Sequence, residues 1–494
     1  MATIEAEQPG LRVMAGRPLV QGAVLALLAL VLRWSSFGDP DITADETFYQ
    51  TVGIAMHHGA LPYVDVWDRK PLGLFLVYWA ITGISAAPLA YQLAATASAA
   101  GTALVIARIA MRWTGTRGAL LAGALYLVWL TPLFGFGGQS PVFYNLLVAG
   151  AALLVLRAQP RLERGGNSPA ASLAMVLAGC AITIKTSALF EGAYFGLVLI
   201  AATRRSPEPL AWLMARAARW AMLGAAPTLL IALYYAAVGH WGEWWHAMVI
   251  ANLAKGGDWA SSSLRLVLLW RLIMPMVLAA AIGLALLPRQ SRSFPAGWLL
   301  AALIGLAAIP NFYPHYALPL LVVLCACAAP LLGRGWLGIG IALALAGLSL
   351  RAETPFRPGQ AERSARTFAE LAQAIRAHGG TPRTRGLLVY AGPAQLYPLT
   401  GNALPTPLAF ETHLSQASER NVSHLDTVAE LRRVLAARPG TVVVPVVVRN
   451  GPVVPETWAM VNRYVHAHCR PVMQRHVEDW LLADDLVVWG DCRG

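Results

Sequence analysis

The chain has 494 residues, 57% of them apolar and only 13% charged, with a mean hydropathy of +0.53 and a formal net charge of +12. That composition excludes an ordinary soluble enzyme and belongs to a chain that crosses a membrane many times. Residues 1–352 carry 23 basic against 13 acidic residues and residues 353–494 carry 15 against 13, so the positive excess reports membrane topology rather than nucleic-acid binding.

In chain order, the first apolar segment (18–34) runs into Arg33-Trp34-Ser35 without a small-residue cleavage pattern, which predicts an uncleaved anchor. Further spans are predicted at 88–110, 118–134, 142–157, 170–186, 188–203, 219–238, 264–287, 296–310, 315–332 and 335–351. Pro71–Ser85 is short for a span. Counting it as one would put Arg108, Arg112 and Arg117 outside and disturb every later loop. Read as a helix lying on the membrane surface, it leaves fifteen arginines on one face: Arg12, Arg17, Arg108, Arg112, Arg117, Arg157, Arg161, Arg164, Arg204, Arg205, Arg216, Arg219, Arg289, Arg292 and Arg334. Excess arginine marks the cytoplasmic side.

The predicted fold class is therefore an α-helical polytopic membrane protein of about eleven transmembrane helices with a C-terminal extracytoplasmic α/β domain. Its expected division is 1–352, including a first outer loop at 35–87, and 353–494. The expected location is the bacterial inner membrane, with the C-terminus on the periplasmic side.

The first outer loop is rich in acids: Asp39, Asp41, Asp45, Glu46, Asp65 and Asp68 precede Arg69 and Lys70. Thr43-Ala44-Asp45-Glu46 has capping-box spacing, so a helix should begin at Thr43, with Asp45 in its first turn and Tyr49 one turn later on the same face. Asp45 and Glu46 would in any case complement the helix dipole. Lys70 is one of only three lysines against 35 arginines, and the topology puts Lys70, Lys185 and Lys255 on the outer face. Carboxylates beside a compact cation at a membrane surface suit chemistry on a phosphate-bearing lipid. His57 and His58 are adjacent and do not converge on a metal from one helix, so they read as surface histidines.

Lys185, at the outer end of its span, reads either as a snorkelling anchor or as a phosphate-binding cation. His315-Tyr316 reads as an interfacial aromatic belt or as a ligand pair. Lys255 lies in a Gly-rich outer loop and reads as a solvated charge, in a loop able to close over a substrate. Glu191 lies at the edge of a span, where a lone acid is expensive, and Lys185 is its expected partner. Cys180, Cys325 and Cys327 fall in spans and are expected to pack.

In the tail, helices are predicted at Glu362–His378, Leu425–Arg438 and near Glu456–His468, and strands at Gly386–Ala391, Thr441–Val448 and near Leu486–Trp489. Cys469 and Cys492, on the oxidising face, are either a disulfide or two separate buried thiols. The tail carries no recognisable catalytic motif, so its expected role is to position or shield an acceptor.

The pattern Asp45-Glu46-x-x-Tyr49, then His58-Gly59-x-x-Pro62-Tyr63, then Asp68-x-Lys70-Pro71 before an amphipathic segment resembles the class C glycosyltransferases. It is most similar to the branch holding the protein O-mannosyltransferases and the lipid A aminoarabinose transferase. The similarity spans 18–350, and Asn311–Pro319 resembles the late outer loop and following span of that family. The resemblance implies a multi-span enzyme that takes a polyprenyl-phosphate-sugar donor at an outward-facing site, with surface-lying helices in its first outer loop. The reaction expected is an inverting transfer to an envelope glycan or lipid. Asp45 is then the expected general base, and Glu46, Tyr49, Tyr63, Asp68, Arg69, Lys70, Lys185, His315 and Tyr316 the expected substrate-binding residues. Two departures remove support for a divalent metal cofactor: Arg69 stands where some relatives have an acid, and Gly137–Pro141 offers none where many do. The competing readings are a protein O-glycosyltransferase of the same fold, a membrane transporter, and a non-catalytic assembly factor with the tail as binding module. A transporter is disfavoured by the few charges in the spans and the missing inverted repeat.

Overall fold

The computed structural model describes residues 18–254, 259–448 and 451–493. Arg12, Arg17 and Lys255 lie outside the described residues. A helix stands at every predicted span. Seven helical segments among the described residues are long and apolar enough to cross a membrane: Leu19–Ser36, Pro88–Ala110, Ser140–Leu162, Leu210–Ala237, Ser261–Leu286, Pro314–Leu332 and Gly335–Ala352. The chain is a multi-pass membrane protein.

The other four predicted spans are shorter or more polar, each for a visible reason. Thr116–Trp129 ends in a 3-10 turn at Thr131–Leu133 followed by left-handed Phe134 (φ +59°). Pro169–Ile184 stops at extended Lys185. Ala188–Arg204 carries Glu191 in its first turn, and Arg289–Ala307 opens on Arg289-Gln-Ser-Arg292.

The chain divides into two compact units. The first, the membrane unit, comprises Met1–Trp34, Ala95–Thr228 and Gly257–Phe356. The second comprises Ser35–Ala94, Leu229–Gly256 and Arg357–Gly494, so the first outer loop and the tail share one unit although the sequence assigns them to different domains.

Small residues let the helices of the membrane unit pack closely: a Cβ on Gly179 would fall onto the Gly224 carbonyl. Arg33 is 4% exposed, and its guanidinium is satisfied by Thr96 Oγ1 (3.1 Å) and the carbonyls of Gly135 (2.6 Å) and Gly137 (2.5 Å). A buried cation saturated with acceptors fixes the loop that supplies them.

In the second unit, helix Ala44–His57 packs on helix Leu72–Ile84, and Gly53 is where the Tyr78–Trp79 backbone comes closest. Leu72–Ile84 has 13 residues, roughly 20 Å of helix, too short for about 30 Å of hydrocarbon. It leaves Leu76, Trp79 and Ile84 exposed. The tail holds one four-stranded sheet of β1 (Leu387–Val389), β2 (Thr441–Pro445), β3 (Arg470–Glu478) and β4 (Ala483–Gly490), in the order β1-β2-β4-β3. β1 and β2 are parallel and the other pairs antiparallel. β2 is buried along its whole length, as its β-branched run requires. The three predicted tail helices are Gln360–Ala377, Thr427–Ala436 and Pro455–His468. β3 was not expected: it is a mostly exposed edge whose residues lack apolar alternation. The Cys469–Cys492 disulfide closes the open end of the β3/β4 pair. Cys325 and Cys327 are buried free thiols, and Cys180 is half-buried.

Candidate active site

Helix Ala44–His57 starts where capping-box spacing places it, but its expected cap bond is absent: Thr43 is extended and makes no side-chain cap. Both members of the box are instead buried, Thr43 at 2% exposure and Glu46 at 0%, so tertiary packing overrides the local motif. Asp45, in the first turn, meets the Asp68–Lys70 turn.

Local bonds make that turn rigid. Asp65 Oδ2 accepts the Leu61 N–H (2.8 Å), and left-handed Tyr63 (φ +71°) donates its N–H to Val66 O (2.6 Å). Asp68 Oδ1 accepts the N–H groups of Arg69 (2.6 Å) and Lys70 (3.2 Å), a turn that Asp makes readily. The Tyr63 hydroxyl donates to Lys70 O (2.9 Å). Tyr63 is fully buried, so it shapes the turn from beneath.

The Lys70 ammonium then lies between two carboxylates, 3.1 Å from Asp45 Oδ1 and 3.0 Å from Asp68 Oδ2. It also sits over the rings of Tyr49 (5.0 Å) and Phe410 (5.3 Å). Burial alone would push the Lys70 ammonium down, but Asp45 and Asp68 outweigh it and hold the pKa above its ordinary value. For Asp68, burial pushes up, while Lys70 and His413 pull the carboxyl below its usual range.

Three of the surrounding side chains come from the tail, more than 300 residues away in sequence. Glu419 Oε1 meets Arg69 Nη2 at 2.5 Å. Phe410 covers Lys70, and buried His413 packs against the rings of Phe410 (5.2 Å) and Phe48 (6.4 Å). Burial pushes the His413 pKa down to about 4, so the ring is neutral near pH 7. Nothing in the local sequence of the tail announces these three residues; only the fold brings them to the loop.

Beside them opens a small cleft lined by Asp41, Glu411, Asp479 and Asp484 together with Thr47 and Phe410. Burial, then Asp479, Asp45 and Asp484, push Glu411 up to about 8. Burial, with Asp39 and Asp484, pushes Asp479 up to about 6 despite the N–H groups of Leu481 and Leu482. Burial, then Asp479 and Asp39, hold Asp41 well above the usual carboxylate range. Among the described residues no group of three or more His, Cys, Asp or Glu side chains is placed to hold a metal ion. His57 is exposed, with Nε2 2.9 Å from Trp79 O.

The remaining sequence candidates lie in the membrane unit. Lys185 Nζ sits 5.0 Å over the Tyr316 ring, and His315 meets Tyr316 edge-on at 4.6 Å in the 3-10 turn Pro314–Ala317. Glu191 corrects an expectation: its partner is Trp298 Nε1 at 2.6 Å rather than Lys185, because one helical turn aims the carboxyl at helix Arg289–Ala307. Arg265, which the sequence did not single out, donates to Asn311 O (2.7 Å) and lies over Tyr313 (4.7 Å).

No family model matches the chain, and no curated protein is similar to it in sequence. Solved structures are similar to it in fold. ArnT from Cupriavidus metallidurans bound to undecaprenyl phosphate superposes with a TM-score of 0.58 at 13% identity, covering 98% of each chain. The chain has the class C glycosyltransferase fold. The apo state of the same ArnT gives a TM-score of 0.58 at 15% identity, over 95% of this chain and 97% of that one. At such identities the likeness extends over the whole class C fold, tail included, and concerns the fold alone.

Proposed function

We propose that this chain is an integral membrane glycosyltransferase. It moves a sugar from a polyprenyl-phosphate-sugar donor to an envelope glycan or lipid acceptor on the outer face of the inner membrane. The observation that carries the reading is the Lys70 ammonium held between Asp45 and Asp68. The fold shared with ArnT, whose structure holds undecaprenyl phosphate, supports the choice of donor class.

In the proposed reaction the acceptor hydroxyl attacks the anomeric carbon and its proton passes to the Asp45 carboxylate. The bond from that carbon to the phosphate oxygen breaks, and the lipid phosphate leaves with the electron pair. Lys70 stabilises the departing charge. Attack from the face opposite the phosphate inverts the anomeric centre.

The resting geometry adds a condition. While Lys70 sits on Asp45, the carboxylate and the ammonium engage each other. An arriving phosphate that draws Lys70 away frees Asp45, so donor binding precedes base activation. Arg69, paired with Glu419, is the second cation of the loop. Within the membrane unit, Lys185 and His315, each against the Tyr316 ring, are the further proposed substrate-binding residues. Glu46, Tyr49, Tyr63 and Tyr316 shape the surroundings of these charges. The C-terminal domain, with Phe410, His413 and Glu419, completes the loop site.

The test is mass analysis of envelope lipids and glycans from a deletion strain, complemented with the wild-type chain or with Asp45→Asn. One glycan or lipid species should lose a sugar, regain it with wild type and not with the variant. An envelope profile unchanged by the deletion contradicts the reading.

A further inference from the structure

The two ends of the tail sheet differ in charge. At one end β1 and β2 stop, β3 turns into β4, and Glu411, Asp479 and Asp484 line the cleft. This end holds the first outer loop: Gln395 Nε2 donates to Asp41 Oδ1 (2.7 Å), and the Trp480 N–H donates to Ile42 O (2.9 Å). At the other end β1, β2 and β3 begin and β4 finishes. Its flanking segments are knitted together, with the N–H of Gly440 on Gly386 O (3.1 Å), of Cys492 on Gly440 O (3.1 Å) and of Arg493 on His468 O (2.8 Å).

Every strand brings arginine to this second end. Arg383 and Arg385 precede β1, Arg438 precedes β2, Arg470 opens β3 and Arg493 follows β4, and all are exposed. The one nearby acid, Asp491, is taken by Arg470 (2.5 Å) and His378 (2.9 Å). Arg385 donates to Cys492 O (3.3 Å), and the fields of Arg385 and Arg438 both reach the Tyr464 hydroxyl. Among the described residues Arg383, Arg385, Arg438 and Arg493 meet no carboxylate. Helices Gln360–Ala377, Thr427–Ala436 and Pro455–His468 also end here, and cations answer the dipole at a helix C-terminus. Three helix ends amount to roughly −1.5 charges, against four unanswered guanidinium groups. Positive charge is left over.

Bilayer head groups and a glycan chain in the aqueous phase are rival partners for such a face. Exposed apolar side chains separate them. Val446, Val447, Leu481 and Leu482 are exposed at the cleft end, on the side of the loop whose helix Leu72–Ile84 exposes Leu76, Trp79 and Ile84. That end reads as the bilayer side. β4 has eight residues, so the arginine end stands roughly 26 Å farther out, about three screening lengths at physiological salt.

We propose that the arginine end of the tail is a docking surface for an acidic glycan chain of the envelope, whose carboxylate or phosphate groups take the guanidinium forks of Arg383, Arg385, Arg438 and Arg493. Such planar forks match the paired oxygens of these groups. The surface is separate from the Lys70 site and does not depend on the reaction proposed there.

The experiment measures binding of labelled oligogalacturonate to the full-length chain in phosphatidylcholine nanodiscs, with neutral dextran as control. Wild type should bind the acidic glycan and not dextran, and added salt should weaken the binding. Arg385→Gln with Arg438→Gln should lose about ten-fold of affinity, since two charge-assisted contacts go. Lysine at both positions should give an intermediate loss, because the charge stays and the fork does not. Arg438→Gln alone should lose a few-fold and stands in if the double variant does not fold. Arg363→Gln with Arg366→Gln removes the same charge from the start of helix Gln360–Ala377 and should leave affinity nearly unchanged. Equal losses in the two double variants would make the binding a response to net charge and overturn the inference. So would wild type that binds no oligogalacturonate or binds dextran equally well. Capture of phosphatidylglycerol vesicles through Arg385 and Arg438, without glycan binding, would overturn it by giving the surface to head groups.

Discussion

The chain buries charge in two different ways. In the loop-and-tail unit, Lys70 meets Asp45 and Asp68, and Arg69 meets Glu419, so each charge is answered by an opposite one. In the membrane unit, Glu191 is held by a neutral indole N–H, and Lys185 lies on an aromatic face. Mutual clamps of the first kind can open, because an incoming charged group can exchange with one partner and release the other. The neutral support at Glu191 offers no such exchange. Substitutions should therefore behave differently in the two regions.

The largest effect after loss of the base itself should come from Lys70→Ala. It removes the phosphate partner and leaves Asp45 and Asp68 facing each other, so donor affinity and turnover should both fall, turnover by roughly 10²-fold. Lys70→Arg keeps the charge in a larger planar group and should recover only part of both. Titration of a donor lipid into the two variants, alongside steady-state rates, checks this. If donor affinity is unchanged in Lys70→Ala, the phosphate belongs to Lys185 and His315.

A smaller, opposite effect should follow Glu419→Gln. It releases Arg69 from its carboxylate, so the donor should bind several-fold more tightly at low salt, where attraction between charges is least screened. Weaker binding would mean that Glu419 is needed to hold Arg69 in place.

The cleft acids predict a pH trend in stability. Glu411 titrates near 8 in the folded chain against 4.5 for the free side chain, and Asp479 near 6 against 3.8. Raised carboxyl pKa values give a contribution that is full below the free values and lost as pH rises through the folded ones. His413 has the opposite sign: its contribution is present above 6.5 and lost as pH falls through about 4. Thermal stability should therefore decline between pH 6.5 and 8, and Glu411→Gln should flatten that decline. A Glu411→Gln profile that superposes on wild type would place the titration elsewhere. The smallest effect should be that of Asp485→Asn. Asp485 bonds exposed His476 across the β3/β4 pair, away from the cleft, and turnover should stay within a few-fold of wild type. A loss comparable to that of Asp45→Asn would put the site in the tail.

Much of this was legible in the sequence. Hydropathy located the apolar helices, because span length is set by the bilayer rather than by neighbouring elements. Asp45, Tyr49, Asp68 and Lys70 were legible as a group because they lie within 26 residues and share a helix face or a tight turn. Phe410, His413 and Glu419 were not, since their role depends on contacts made across hundreds of residues. The Glu191–Trp298 bond was misread as Glu191–Lys185 because sequence proximity says little about which helix a side chain will face. β3 was missed because an exposed edge strand needs no apolar alternation.

The most direct test of the central claim is turnover and donor affinity of Asp45→Asn, measured together in nanodiscs. The substitution keeps the shape of the side chain and removes its ability to take a proton. The account predicts a fall in kcat of roughly 10²–10⁴-fold with donor binding retained. Full activity in Asp45→Asn would contradict it and make Glu46 or Asp68 the next candidate base.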